Sequence, residues 1–184
     1  MAVKLKGKQW FTIVAPNYFG EKEIGKTISG TAESLVGKAI NVSAVELTND
    51  INKYYLKLKF KITSVDSGKA FTQFHGSECL QDYISRMVLH RIRRIDSIQD
   101  LTTKDNVKIR VKGLTIIPKK AKSSVAVKIR QFVSAFIKKQ VEESTLEEFL
   151  YNMLSNELKN KILKGGRVIY PIRNFEVRKT EIIQ

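Results

Sequence analysis

From Lys53 to Ile62 the chain reads KYYLKLKFKI, and Lys53, Lys57, Lys59 and Lys61 keep a beat of two against the apolar residues. Side chains of a strand point alternately to opposite faces. The run therefore folds as a half-buried strand, with Leu56, Leu58, Phe60 and Ile62 on a core and Tyr55, Lys57, Lys59 and Lys61 outside. NVKIRVKGL, from Asn106 to Leu114, repeats the pattern, with Val107, Ile109 and Val111 inward and Lys108, Arg110 and Lys112 outward. Exposed lysines on one strand can serve simply to keep its edge from pairing. Two such strands in a strongly basic chain ask for a further reason.

The charge supplies it. The chain has 184 residues and 42% hydrophobic content, enough for one domain with a real core. Its 33 lysines and arginines face 18 acids, a formal net charge of +15. A folded domain this basic repels itself until something anionic covers it, and nucleic acid is the commonest such partner. Each third of the chain carries an excess of cations, as expected of a protein embedded among phosphates on several sides. Anionic membrane is the competing partner, but no apolar run approaches the roughly 18 residues of a spanning helix. MAVKLKGKQWF lacks the apolar stretch of a signal peptide. The single cysteine, Cys79, forms no internal disulfide, fits a reducing cytoplasm and reads as a packing residue.

Along the chain, Lys4, Lys6 and Lys8 lead into Trp10, a basic tail before an aromatic that could grip RNA or could be an ordinary frayed end. GEKEIGKT, Gly20 to Thr27, matches the phosphate-loop pattern formally. Glu21 and Glu23 lie inside it, however, and Gly30 interrupts any helix that would follow. Strands are expected over QWFTIVAP and Lys38–Leu47. Another runs from Tyr54 to Val65, turns at Asp66–Gly68 and returns through KAFTQFHG. A helix capped by Ser77 should then carry Leu80, Ile84, Met87, Val88, Ile92 and Ile95 on one stripe. Arg86, Arg91, Arg93 and Arg94 crowd its second half, more arginine forks than a helix end requires and well suited to phosphate.

The loop of residues 118–124 carries Lys119, Lys120 and Lys122. A helix from about Ser124 to Glu142 presents Arg130, Lys138 and Lys139. A third should open with a capping box of Ser144 and Glu147, run to Ile162 and stop at KGG, Lys164–Gly166. Glu142, Glu143, Glu147 and Glu148 at that junction read as structural rather than metal-binding. RVIYPIRNFEVRKTEI returns to β, with Pro171 at a strand edge or bulge.

Several separated phrases belong together: WFTIVAPNYFGEKEIGKT, ELTND, FTQFHGSECLQDYISRMV, IRRIDSIQDLTTKDN and GGRVIYPIRNFEVRK. In this order, over nearly the whole chain, they resemble the small-subunit ribosomal protein family of archaea and eukaryotes called S-3Ae. The element order alone indicates an α+β chain. The resemblance implies an antiparallel β-barrel-like core with about three packed helices, in one ribosomal-protein domain over residues 1–184. It also implies a non-enzymatic role in the cytoplasm, within the ribosome and of archaeal type, without cofactor or metal. The place implied is the platform of the small subunit, near the mRNA exit and the 3′ end of the small-subunit rRNA. Partners would be that rRNA, neighbouring ribosomal proteins and mRNA near the exit, with no membrane.

Carried over by position, Lys26, Arg178 and Lys179 are expected on RNA, and Trp10 is shared between core and stacking. Pro16, Gly25, Phe74, His75, Gly76, Tyr170 and Pro171 are structural. Residues 1–9 and 118–124 are expected to order only with RNA. Two rivals stand beside this reading: a free-standing RNA-binding translation factor, and an enzyme using GEKEIGKT on phosphorylated substrates.

Overall fold

The computed structural model describes residues 7–118 and 121–183. Lys4, Lys6, Lys119 and Lys120 lie outside them. The chain divides into two compact units, Met1–Gly76 and Ser77–Gln184.

The first unit is a mixed sheet. Its strands are β1 (Gln9–Val14), β2 (Glu23–Ser29), β3 (Ala39–Ser43), β4 (Leu56–Asp66) and β5 (Lys69–Cys79), in the order β2-β1-β5-β4-β3. β1 runs antiparallel to β2 but parallel to β5. The alternation that opened the sequence is realised on β4, where Leu56, Leu58, Phe60 and Ile62 are all buried. Phe60 is met edge-on by Phe19 at 5.8 Å and by Phe74 at 6.2 Å between ring centroids, the geometry that aromatic quadrupoles favour. The turn after Asp66 places Ser67 at φ 46° and Gly68 at φ 81°. Two left-handed residues in a two-residue loop match the twist of the flanking strands.

Three expectations change in this unit. Tyr55 is buried rather than facing out with the lysines, and Lys53 is buried in a short turn of Ile51–Lys53. Both precede β4, so the beat of two does not apply to them. Lys38–Leu47 is not one strand: β3 ends at Ser43 and a short helix, α1 (Ala44–Thr48), follows. Ala44 and Leu47, three apart, are the residues α1 buries, a helical spacing within an apparently continuous run.

In the second unit the strands β8 (Asn174–Ile182), β7 (Lys108–Pro118) and β6 (Ile92–Thr102) lie side by side, with β7 in the middle. β6 and β7 are antiparallel from Ile92 opposite Pro118 to Thr102 opposite Lys108. The last residues of β5 lie along β8: the Ser77 N–H donates to Thr180 Oγ1 at 3.0 Å, and the Cys79 thiol donates to the Val177 carbonyl at 3.2 Å. Cys79 is thus the buried packing residue expected. α3 (Ser123–Glu142) packs on β6 through Ala126, Ile129, Val133, Ile137 and Val141, a three- and four-residue stripe.

The expected helix through Ile95 ends far earlier. α2 covers only Gln81–Met87, Arg91 turns the chain at φ 61°, and Ile92 and Ile95 belong to β6. Eleven paired rows with β7 outweigh a weak helical stripe. Ser77 is a strand residue, and Leu80 precedes the first turn of α2.

The capping box sits one residue later than expected. Thr145 Oγ1 accepts from the Glu148 N–H at 3.3 Å, and Glu148 Oε2 accepts from the Thr145 N–H at 3.0 Å. It opens α4 (Leu146–Leu154), and Asn156 at φ 63° separates α4 from α5 (Glu157–Gly166). KGG does not stop α5. Gly165 and Gly166 complete it, and their lack of a side chain makes room for Phe132 and Ile172, which a Cβ at either position would meet. Pro171 falls in the segment before β8 and in no strand.

The α+β class therefore holds, with five α-helices among the described residues. The sheet is mixed and each unit's strand path is open. Among the described residues no pairing closes either path, so the barrel-like closure is not realised; β3 is five residues long and gives way to α1.

Candidate nucleic-acid interface

In the first unit the outward positions of the sheet gather lysines that make no ion pair among the described residues. Lys57 and Lys59 are exposed and Lys61 is half-buried on β4. Their partners in register on β3 are Ser43, Asn41 and Ala39. Lys26 of β2 lies opposite Thr12 of β1, and Thr12 lies opposite Lys69 of β5, so Lys26, Thr12 and Lys69 form one cross-strand row.

Phe11, Ile13, Ile62 and Ala70 share one core, and alternation then puts Thr12, Lys61 and Lys69 on the opposite face. None of these five lysines has an ion pair among the described residues. Like charges gathered over a low-dielectric core raise the local potential and draw polyanions. Trp10, 55% exposed, stands on the same face two residues before Thr12, with Lys8 exposed at the strand's start. Phe71, 36% exposed, stands two residues after Lys69. The division of Trp10 between core and surface is decided for the surface.

The second unit treats its strand cations differently. Arg110 grips Asp100 with both arms of its fork, at 2.6 and 2.7 Å. Lys112 reaches Glu181 at 3.1 Å; Lys179 reaches Glu181 at 2.7 Å and Glu78 at 4.0 Å. Arg94 is held by Asp96 at 3.0 Å. Arg93 donates to the Ala121 carbonyl at 3.3 Å and to Ser123 Oγ at 3.4 Å, tying β6 to the start of α3. These side chains are largely committed inside the chain. Lys138 and Lys139 make only loose, exposed pairs with Glu142 and Glu143, at 3.8 and 3.9 Å, worth a few tenths of a kcal/mol each. Arg86, Arg91, Lys108, Lys122 and Arg130 are exposed, Arg178 is half-buried, and none has an ion pair among the described residues.

Electrostatics follow the geometry. The bond from Lys179, then that from Lys112, holds the Glu181 carboxyl below its ordinary 4.5, and the bond to Glu181 raises Lys179. A lowered carboxylate stabilises the fold above its ordinary range, and that contribution disappears as pH falls through the folded value. An NMR titration should place the Glu181 midpoint below 4.5, and Lys179→Gln should move it upward. An unchanged midpoint in that variant would mean the pair is not formed in solution.

The residues that sequence reasoning missed are Lys69 and Phe71. The signal was present: once the turn at Asp66–Gly68 is recognised, KAFTQF must alternate, with Ala70, Thr72 and Phe74 inward and Lys69, Phe71 and Gln73 outward.

No nucleotide loop is formed. Gly25, Lys26 and Thr27 lie within strand β2, and no α-helix opens directly after them among the described residues, whereas a phosphate loop needs a helix N-terminus. The family model for the Ribosomal S3Ae family matches residues 2–184. The chain belongs to the Ribosomal S3Ae family. Among its relatives is the small ribosomal subunit protein eS1 of Methanopyrus kandleri, 34% identical over 98% of this chain and 88% of the relative. The protein of the same name from Sulfurisphaera tokodaii is 35% identical over 98% of this chain and 94% of the relative. That of Saccharolobus islandicus is 32% identical over 98% and 87%. A Ribosomal S3Ae member is a ribosomal protein and not an enzyme.

Proposed function

We propose that this chain is a structural constituent of the small ribosomal subunit that binds rRNA on the platform, near the mRNA exit and the 3′ end of the small-subunit rRNA. The observation that carries this reading is the lysine face of the first unit, whose lysines make no ion pair among the described residues. Such a face is self-repelling in isolation and settled by phosphate. Each phosphate that a lysine neutralises releases condensed counterions, so binding is driven by entropy and weakens steeply with salt. The exposed cations Arg86, Arg91, Lys108, Lys122 and Arg130 extend phosphate contact to the second unit. Neighbouring ribosomal proteins, and mRNA near the exit, complete the partners. The ribosome also sets its cytoplasmic location.

Sedimentation of a tagged copy from lysate, at low salt and after a high-salt wash, tests this. Retention with the small subunit through the wash is the expected result. Release to the top of the gradient would instead describe a loosely bound translation factor.

A further inference from the structure

We infer that the outward face of the first unit's sheet is a stacking platform for an unpaired segment of rRNA, with Trp10 and Phe71 as the two base-stacking side chains. This deepens the ribosomal reading above and rests on it. The unit buries Phe11, Phe60 and Phe74 to 6% exposure or less, so its core has no shortage of aromatic side chains. Trp10 and Phe71 nonetheless stand outside, at 55% and 36%.

Their placement is ordered. Trp10 is in the first outward row, opposite Ile28 of β2; Lys26, Thr12 and Lys69 make the next; Phe71 lies in the row of Val14 and Glu23, where Val14 is buried and Glu23 is exposed. From Trp10 to that last row is four residues of strand, about 13 Å at the usual rise. This is roughly the length of four stacked nucleotides at 3.4 Å each. The lysine row lies between the two rings, where the backbone of a strand spanning them would pass. Beyond Phe71 the face continues across β4 with Lys61, Lys59 and Lys57, and on β3 with Asn41 and Ser43.

Paired RNA hides its base faces and offers a flat sheet only phosphates and sugars, so two exposed rings would gain nothing from a duplex. Unpaired bases stack on aromatic side chains irrespective of their identity. The occupant is rRNA rather than passing mRNA, in line with the structural ribosomal role on which this inference rests, and the unpaired lysines supply the charge complementarity to its phosphates. Charge complementarity also disfavours an apolar protein partner on this face.

Trp10 is the only tryptophan in the chain, so intrinsic fluorescence reports this position alone. The free full-length protein is titrated with a mixed-sequence single-stranded RNA, an abasic strand of equal length and charge, and a duplex. The single strand should quench and shift the emission while the other two do not. Phe71→Ala should weaken single-strand binding roughly tenfold, with abasic affinity and salt slope unchanged. Equal binding and quenching by the abasic strand would overturn the platform, as would an emission that no RNA moves.

Ultraviolet crosslinking in salt-washed subunits freed of mRNA identifies the source. Unpaired rRNA nucleotides joined to the Trp10 or Phe71 peptide are expected. Crosslinks found only after mRNA is added, or only to another protein, would overturn the assignment. If the wild-type chain never sediments with the small subunit, the ribosomal placement fails, while the abasic comparison still judges the stacking.

Discussion

Replacing Gly113 with valine is expected to destabilise the second unit by about 3 kcal/mol or more. Gly113 lies in β7 at an irregularity in its pairing with β8 and directly opposite Ser97 of β6. A Cβ there would come within 2.7 Å of Ser97 Oγ, 3.2 Å of Phe175 Cε2 and 3.3 Å of Ile137 Cδ1. The serine hydroxyl can rotate away, but Phe175 and Ile137 are 1% exposed and pack from β8 and from α3. Alanine already crowds them, and two further methyls must displace either the helix or the strand. For a chain of this length the loss corresponds to a Tm lower by roughly 10 °C. Thermal unfolding of the free protein measures it. A drop of a degree or two would mean that α3 sits less firmly on the sheet than the distances indicate.

The second large effect concerns charge alone. Changing Lys57, Lys59 and Lys61 together to glutamine should leave Tm nearly unchanged, since these side chains have no ion pair among the described residues to lose. If each lysine neutralises one phosphate, the slope of log affinity against log salt should become shallower by about 2 to 3. Near 0.1 M salt that is about two orders of magnitude in affinity for RNA. The matching change of Arg110, Lys112 and Lys179 should cost much less binding, because Asp100 and Glu181 already hold those cations. Equal losses in the two triple variants would contradict the separation between a compensated and an uncompensated face.

What could be read beforehand follows from how well each segment agrees with itself. On β4 alternation, β propensity and a two-residue turn all point one way, and the strand and its lysine face were legible. β6 was not, because its own pattern conflicts: Ser97 is buried while Ile98 is 63% exposed. The pairing with β7 that forces this arrangement is non-local and leaves no mark in a short window. Helix breaks at single left-handed residues, such as Asn156, were invisible for the same reason. Which cations would be claimed by acids was also hidden: Arg110 and Lys112 look identical to Lys57 and Lys59 until the register puts Asp100 and Glu181 beside them. Lys26 stands out by family resemblance and Trp10 already by the basic tail before it, and only cross-strand pairing reveals that they share a face.

The order of the strands also sets a timetable. β7 is the central strand of its unit, yet β8, its partner on one side, follows it by roughly 55 residues and three helices. At 5–20 residues per second, a nascent chain waits about three to eleven seconds before β8 can dock. During that interval β7 offers one bare row of N–H and C=O groups to every other unfinished chain in the polysome. Lys108, Arg110 and Lys112 ride on that strand throughout the wait, and identical nascent copies would have to bring them face to face. Arg110 and Lys112, which the finished fold balances with Asp100 and Glu181, thus stand with Lys108 on that bare strand as like charges that disfavour pairing between identical copies.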